Sequence, residues 1–390
     1  MDSFSSKKAS AQINLGSVSF FCLFLVTVFF VLALVPLLTS GAYNHSPKLL
    51  LSPVNTDQDG EEDTPEQTFV PIFSPSSVVI KPNTTSKTVV FDKDDQTKVD
   101  SRFAVLLDAE TGEILAGKNM EQEFHPASMT KVMTLLVACQ RLSEDDLDKK
   151  IKLTQEIYDY VHPSSPSDGY YDSECYWKNV YIGDDGTVLS QLYGIAMESY
   201  ADCTMMIASY IVGKSPAENE AQFVEWMNEE AQKMGLKNTH FDNIIGHEGN
   251  TYTTVSDMAA ILIRALECPL ITELLSVKKA KHFYIDSYFA DGSFDKQYNM
   301  YFYSTLFNIN PATSNREKAY ENDYGKFKLN DLELQGGKTG ALKIDGKWTY
   351  SLASFATNAD GKTYIVVTGE TIIGSSVLKD AKTLYDTYAK

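Results

Sequence analysis

The sequence is short of basic residues: 34 Lys and Arg stand against 52 Asp and Glu, a formal net charge of −18. A nucleic-acid surface needs clustered positive charge to displace counterions from phosphates, so no nucleic-acid partner is expected. The same imbalance disfavours broad docking of a soluble region on an anionic membrane surface. Cysteine is scarce as well. Cys22, Cys139, Cys175, Cys203 and Cys268 form no CxxC pair and no closely spaced even framework, which points to small apolar core residues rather than a disulfide scaffold. The six histidines show no HExxH or comparable ligand spacing, so neither a metal nor another cofactor is expected. Internal repeats are absent.

Apolar residues are plentiful at 43%, with 22 Tyr and 20 Phe, but they are unevenly spread. Leu15 to Leu38 is almost wholly apolar and uncharged, long enough for the roughly 20 residues a transmembrane helix requires. Lys7 and Lys8 precede it, and no Lys or Arg follows until Lys48, which holds residues 1–14 in the cytoplasm and sends the rest outward. A cleaved secretory signal ending near Ser40-Gly41-Ala42 is the competing reading. The length of the run favours a retained anchor over 15–38, giving a single-pass protein of the cell membrane, or a secreted one if the segment is cut. Residues 39–100, rich in Pro, Ser, Thr and Asp, lack a sustained hydrophobic period and are expected to form an unstructured extracytoplasmic linker.

A folded domain is expected over 101–390. Phe103 to Leu107 and Glu113 to Ala116 flank the turn residues Asp108 to Gly112, and Tyr350 to Thr357 and Thr363 to Thr368 flank Asn358 to Gly361, so two hairpins are predicted. Between them the pattern is largely helical: Met129 to Leu142, Ser190 to Val212, a helix opened by Ser215-Pro216 and stopped by Gly235, and another from Ser256-Asp257 through Leu266. Ser376 to Tyr388 forms a last helix. Strands at both ends with helices between them predict an α+β domain with a mainly antiparallel sheet flanked by helices.

Two local patterns carry chemistry. In Pro126-Ala127-Ser128-Met129-Thr130-Lys131, Ser128 and Lys131 fall one turn apart on one face of an apolar helix. A serine hydroxyl needs a base to take its proton, and a lysine serves only when burial or nearby charge lowers its pKa. The apolar residues after Lys131 are consistent with that, although a capping serine followed by a surface lysine has the same spacing. Gly336-Gly337-Lys338-Thr339-Gly340 is the second. Its glycines admit a substrate backbone, and Lys338 with Thr339 offers a charge and a hydroxyl to a carboxylate; a glycine-rich turn bearing a solvated lysine is the simpler alternative.

In this order the two motifs resemble those of the active-site-serine superfamily, which holds penicillin-binding proteins and serine β-lactamases. Leu107 to Leu115, Pro126 to Thr134, Phe241 to His247 and Tyr252 to Ala259 narrow the resemblance to the D-alanyl-D-alanine carboxypeptidases, over about residues 101–390. The resemblance implies the transpeptidase-like fold, with Ser128 as nucleophile, Lys131 as base and Ser199 delivering a proton to the leaving amine. Lys338 and Thr339 would receive the terminal carboxylate of a peptidoglycan stem peptide ending in D-Ala-D-Ala. Gly340 would lie in the same subsite, and the backbone N–H groups of Ser128 and Ala341 would form the oxyanion hole. β-Lactams would acylate the same serine.

The family's middle motif, Ser-x-Asn, is incomplete. Ser199 is present, but Ala201 stands where the asparagine belongs, with Asp202 beside it. A membrane-tethered muropeptide-binding module without catalysis is therefore an alternative, as is cross-link endopeptidase activity. A β-lactamase is less favoured, because no Glu-x-x-Leu-Asn element lies between Ser199 and Lys338. Many relatives add a second β-rich domain and a carboxyl-terminal amphipathic helix; here the amino-terminal run is the expected anchor. The aromatic stretch from His162 to Tyr181 is expected either on the cleft rim or packed on itself.

Overall fold

The Asp108 carboxylate closes the first predicted turn: its Oδ1 accepts the backbone N–H of Glu110 at 2.9 Å and of Thr111 at 3.0 Å. The structure is a computed structural model that describes residues 69–92, 99–162, 182–247, 249–278, 281–289, 291–307, 328–372 and 376–389. In chain order, β1 (Asn83–Val90) precedes the hairpin of β2 (Phe103–Asp108) and β3 (Glu113–Lys118). A tight turn at Ala127–Met129 leads into α1 (Thr130–Cys139), all of whose residues are buried. Then come β4 (Lys150–Lys152), α2 (Gln155–Val161), β5 (Asp185–Thr187), α3 (Val188–Tyr193) and α4 (Ala201–Val212). The next elements are α5 (Pro216–Met234), α6 (Val255–Leu266), α7 (Pro269–Leu275), β6 (Lys281–Tyr288) and β7 (Phe294–Phe302). The chain closes with β8 (Leu332–Ile344), β9 (Lys347–Asn358), β10 (Thr363–Thr371) and α8 (Ser376–Tyr388).

Six strands form one sheet in the order β1-β3-β2-β10-β9-β8, so strands from the early and late parts of the described chain meet at its centre, where β10 pairs antiparallel with β2. Alternation along β2 divides the core. Phe103, Val105 and Leu107 face the helical layer of α1, α5 and α6, while Ala104 and Leu106 face α8. The expected α+β domain, mainly antiparallel sheet with flanking helices, is present; only β1, parallel to β3, departs from the antiparallel pairing. α5 starts as its sequence requires, with Ser215 Oγ on the Glu218 carboxylate at 2.6 Å and Pro216 at the first helical position.

Three expectations are corrected. The linker predicted through residue 100 ends earlier: β1 adds to the sheet edge, Phe73 and Phe91 are buried, and Arg264 holds the backbone carbonyls of Ser76 and Val78 at 2.9 and 3.0 Å. Its polar composition hid this, because β1 is an edge strand with mostly exposed side chains. The middle of the chain, expected to be largely helical, also holds a second, four-stranded sheet in the order β4-β5-β6-β7 that the sequence did not announce. β4 and β5 have three residues each, too few to show a period. Finally, the predicted helix from Ser190 to Val212 is broken. After α3 the chain makes a wide turn over Gly194–Glu198, Ser199 takes a left-handed φ of +66°, and α4 begins afresh. Apolar periodicity runs straight through the break and so conceals it.

The predicted span over 15–38 and the aromatic residues 163–181 lie outside the described residues. Among the described residues, no helix is long and apolar enough to cross a membrane. Cys139, Cys203 and Cys268 are buried in the core and form no disulfide with one another.

Candidate active site

Ser128 sits in the tight turn that opens α1, immediately after Ala127, whose φ of +50° is left-handed. That bend turns the chain into the helix with Ser128 half-exposed, while Ala127 and Met129 are buried. One turn on, the Lys131 ammonium is carried into the interior and is 2% exposed. Its Nζ lies 3.2 Å from Ser128 Oγ and donates to the backbone carbonyl of Ile245 at 2.6 Å. Burial pushes the Lys131 pKa well below the ordinary lysine value, and the positive charge of Lys338 pushes it further; Asp202 and Cys203 act in the opposite direction. A neutral amine there can accept the Ser128 proton while an N–H remains on Ile245.

The Ile245 carbonyl is held in place by a buried loop. Asn243 Oδ1 accepts the N–H groups of Ile245, Gly246 and His247 at 3.2, 2.6 and 3.3 Å, and Thr134 on α1 donates to the Ile244 carbonyl at 2.7 Å. Gly246 is obligatory. Its φ is +75°, and a Cβ there would lie 1.9 Å from the Ala127 carbonyl oxygen, in the turn that carries Ser128.

β8 forms the opposite wall and is the edge strand of the large sheet. The Gly-Lys-Thr-Gly segment is therefore strand, not a glycine-rich turn, with Lys338 opposite Ala353 and Ala341 opposite Tyr350 on β9. Its glycines allow the strand to approach the nucleophile's turn: a Cβ on Gly340 would stand 2.8 Å from the Pro126 carbonyl oxygen. Lys338 is 1% exposed, and burial pushes its pKa down to about 7. Its Nζ donates to Ser199 Oγ at 2.9 Å and to the Thr339 carbonyl at 3.1 Å. Thr339 Oγ1 shares a 2.8 Å hydrogen bond with Thr305.

The break before α4 thus serves a purpose, because it swings Ser199 off the helix and onto Lys338. Two contacts from the end of β7 fasten the turn: Thr305 N–H donates to the Met197 carbonyl, and Tyr303 N–H to the Glu198 carboxylate, both at 2.8 Å. Ala201 contributes only buried apolar surface. Its neighbour Asp202 is 1% exposed, lies 3.6 Å from His162 Nε2, and supplies the negative charge sensed at Lys131.

The structure brings the predicted site residues to this seam, with Ser128 and Lys131 on one wall, Lys338, Thr339, Gly340 and Ala341 on the other, and Ser199 against Lys338. The sequence reading missed the roles of Ile245, Asn243 and Thr305. Phe241 to His247 stands out only through the family resemblance, and a backbone carbonyl leaves no letter in a sequence. Among the described residues, no cluster of three His, Cys, Asp or Glu side chains is arranged to hold a metal.

A serine at the mouth of a buried helix, a lysine beneath it and a Lys-Thr-Gly strand opposite define the penicillin-binding-protein class. The D-alanyl-D-alanine carboxypeptidase family model matches residues 90–371, and the chain belongs to that family. It is 34% identical over 176 residues to the D-alanyl-D-alanine carboxypeptidase DacF of Bacillus subtilis, covering 45% of this chain and 41% of that one. To the D-alanyl-D-alanine carboxypeptidase DacC of Escherichia coli it is 31% identical over 167 residues, covering 42% and 38%. The matches thus span about two fifths of the relatives' length. The crystal structure of the Streptomyces K15 DD-transpeptidase shares the fold, with a TM-score of 0.57 at 23% identity, covering 76% of this chain and all of that one.

Proposed function

We propose that this chain is a serine D-alanyl-D-alanine carboxypeptidase that removes the terminal D-Ala of peptidoglycan stem peptides and is acylated by β-lactams. The observation that carries the proposal is the buried Lys131 amine, set between Ser128 Oγ at 3.2 Å and the Ile245 carbonyl at 2.6 Å. Ser128 Oγ attacks the carbonyl carbon of the penultimate D-Ala as its proton passes to Lys131. The backbone N–H groups of Ser128 and Ala341 stabilise the oxyanion. The proton held by Lys131 is relayed through the Ser199 hydroxyl to the leaving amine as the C–N bond breaks, the terminal D-Ala departs, and water hydrolyses the ester on Ser128, returning a proton to its oxygen. Lys338 and Thr339 receive the terminal carboxylate; an arriving anion favours the charged form of Lys338 and offsets the effect of burial.

The reading extends to location. The uncharged run over 15–38 and the preceding Lys7 and Lys8 support a single membrane anchor, with the enzyme outside the cell. Ala201 favours a second reading, a tethered muropeptide-binding module that has lost catalysis. D-Alanine release from a diacyl-Lys-D-Ala-D-Ala peptide, measured for the purified chain and its Ser128→Ala variant, separates the two. Release that vanishes in the variant supports the enzyme. Peptide binding without release by either protein supports the module and overturns the carboxypeptidase reading.

A further inference from the structure

The outer face of the β6–β7 hairpin carries a row of rings that the chemistry at Ser128 does not use. His282 pairs with Tyr301 across the ladder and Tyr284 with Asn299, so these four side chains, two residues apart on each strand, share one face. The other face, with Phe283, Ile285, Met300 and Phe302, packs into the core. The His282 ring lies 4.8 Å from Tyr284 and 5.2 Å from Tyr301, and its Nε2 is 2.6 Å from Asn299 Oδ1. Although braced in this way, Tyr284 and Tyr301 remain 55% and 50% exposed. Next along the face, Gln297 donates to the Asp286 carboxylate at 2.7 Å.

Exposed aromatic rings fixed by polar neighbours suit a ligand with apolar C–H faces and a rim of hydroxyl and amide groups, which describes an N-acetylated sugar chain. The Asp286 carboxylate is paired with Lys150 at 2.8 Å, so the face carries little unbalanced charge, and the net charge of −18 disfavours an anionic ligand. The face also leads to the cleft. Four residues beyond Tyr301, Thr305 hydrogen-bonds Thr339 at 2.8 Å, and four extended residues reach at most about 14 Å. A stem peptide of similar length bridges that gap.

We propose that this face is a glycan-binding platform, which holds the sugar backbone of a peptidoglycan strand while an attached stem peptide enters the cleft. The choice of substrate rests on the carboxypeptidase reading, whereas sugar binding itself does not require turnover. The test compares the full chain with a Tyr284→Ala/Tyr301→Ala variant on two substrates, a sugar-free diacyl-Lys-D-Ala-D-Ala peptide and a glycan strand bearing pentapeptide stems. The variant should lose about tenfold in kcat/KM on the strand and stay within about twofold of the parent on the free peptide. Equal losses on both substrates, or no loss on the strand, overturn the platform. A second measurement is independent of activity: co-sedimentation of the Ser128→Ala protein with insoluble, peptide-free glycan. Binding that disappears in Tyr284→Ala/Tyr301→Ala and survives in Tyr284→Phe/Tyr301→Phe supports the platform. Absence of binding by the Ser128→Ala protein, or binding unchanged by the alanine pair, overturns it. If the parent turns over neither substrate, the carboxypeptidase reading falls and the sedimentation result still decides the platform.

Discussion

The two faces of the large sheet are built by different means. Behind it, α8 lays Val377, Ala381, Leu384 and Tyr385 on Leu106, Leu352, Ala356 and Val366, a regular apolar layer in which each residue is placed by helix or strand periodicity. At the front edge, the seam between β8 and α1 holds two lysines that are almost fully buried, and two non-glycine residues, Ala127 and Ser199, with positive φ. Buried ammonium groups and left-handed backbone both cost stability. They persist because Ile245, Asn243, Thr305 and Gly340 fix them from every side. The rear face stabilises the domain, and the seam uses part of that stability to hold a reactive geometry.

Substitutions that damage one face and spare the other sharpen this contrast. The largest expected effect is at Lys131. Lys131→Met removes the base and should lower the acylation rate by about 10³-fold, with the melting temperature unchanged or raised, since a buried amine is replaced by an apolar chain. A large loss of stability in that variant would break the contrast. On the rear face, Leu384→Ala should cost about 2–5 kcal/mol in denaturant unfolding and leave kcat of the folded fraction unchanged.

The next effect is on pH dependence. Lys338 must be charged to attract a carboxylate, and in the empty site its pKa is pushed down to about 7. kcat/KM should therefore fall as pH rises through neutrality, mainly through KM, while Lys131, whose pKa is also lowered, supplies the acid limb. Lys338→Arg, whose guanidinium stays charged, should remove the alkaline limb. Stability should move the opposite way. The folded-state pKa of Lys338 is below its unfolded value, so between about pH 7 and about pH 10 the unfolded chain binds more protons, and Lys338 makes stability rise with pH. Lys338→Met should flatten that slope in a pH series of unfolding curves. The smallest effect is at Asp202. Its charge raises the Lys131 pKa, so Asp202→Asn should shift the acid limb of kcat/KM to lower pH by less than about one unit. A shift to higher pH would contradict the placement of Asp202.

The same contrast explains what could be read from the sequence. α8, the β2–β3 hairpin and the β9–β10 hairpin were legible because burial imposes a period on them. Ser128, Lys131 and Lys338 were legible through the two motifs in combination and the family they resemble; the spacing alone fits a capping serine and the glycines alone fit a turn with a solvated lysine. The strand character of β8 was not, because Gly336, Gly337 and Gly340 interrupt the alternation where the backbone must approach Leu275, Ala353 and Pro126. The break at Ser199 was invisible for the opposite reason, since its turn is as apolar as a helix. β1 was read as linker because an edge strand can be polar. The Ile245 carbonyl, which completes the environment of Lys131, has no side-chain signature.

The most direct test of Ser128 as a nucleophile activated by Lys131 is the intact mass of the folded protein after incubation with benzylpenicillin, followed by peptide mapping. The expected result is one penicilloyl adduct on the peptide containing Ser128, absent from Ser128→Ala and formed far more slowly by Lys131→Met. No adduct on the folded parent, or an adduct that persists in Ser128→Ala, would contradict it.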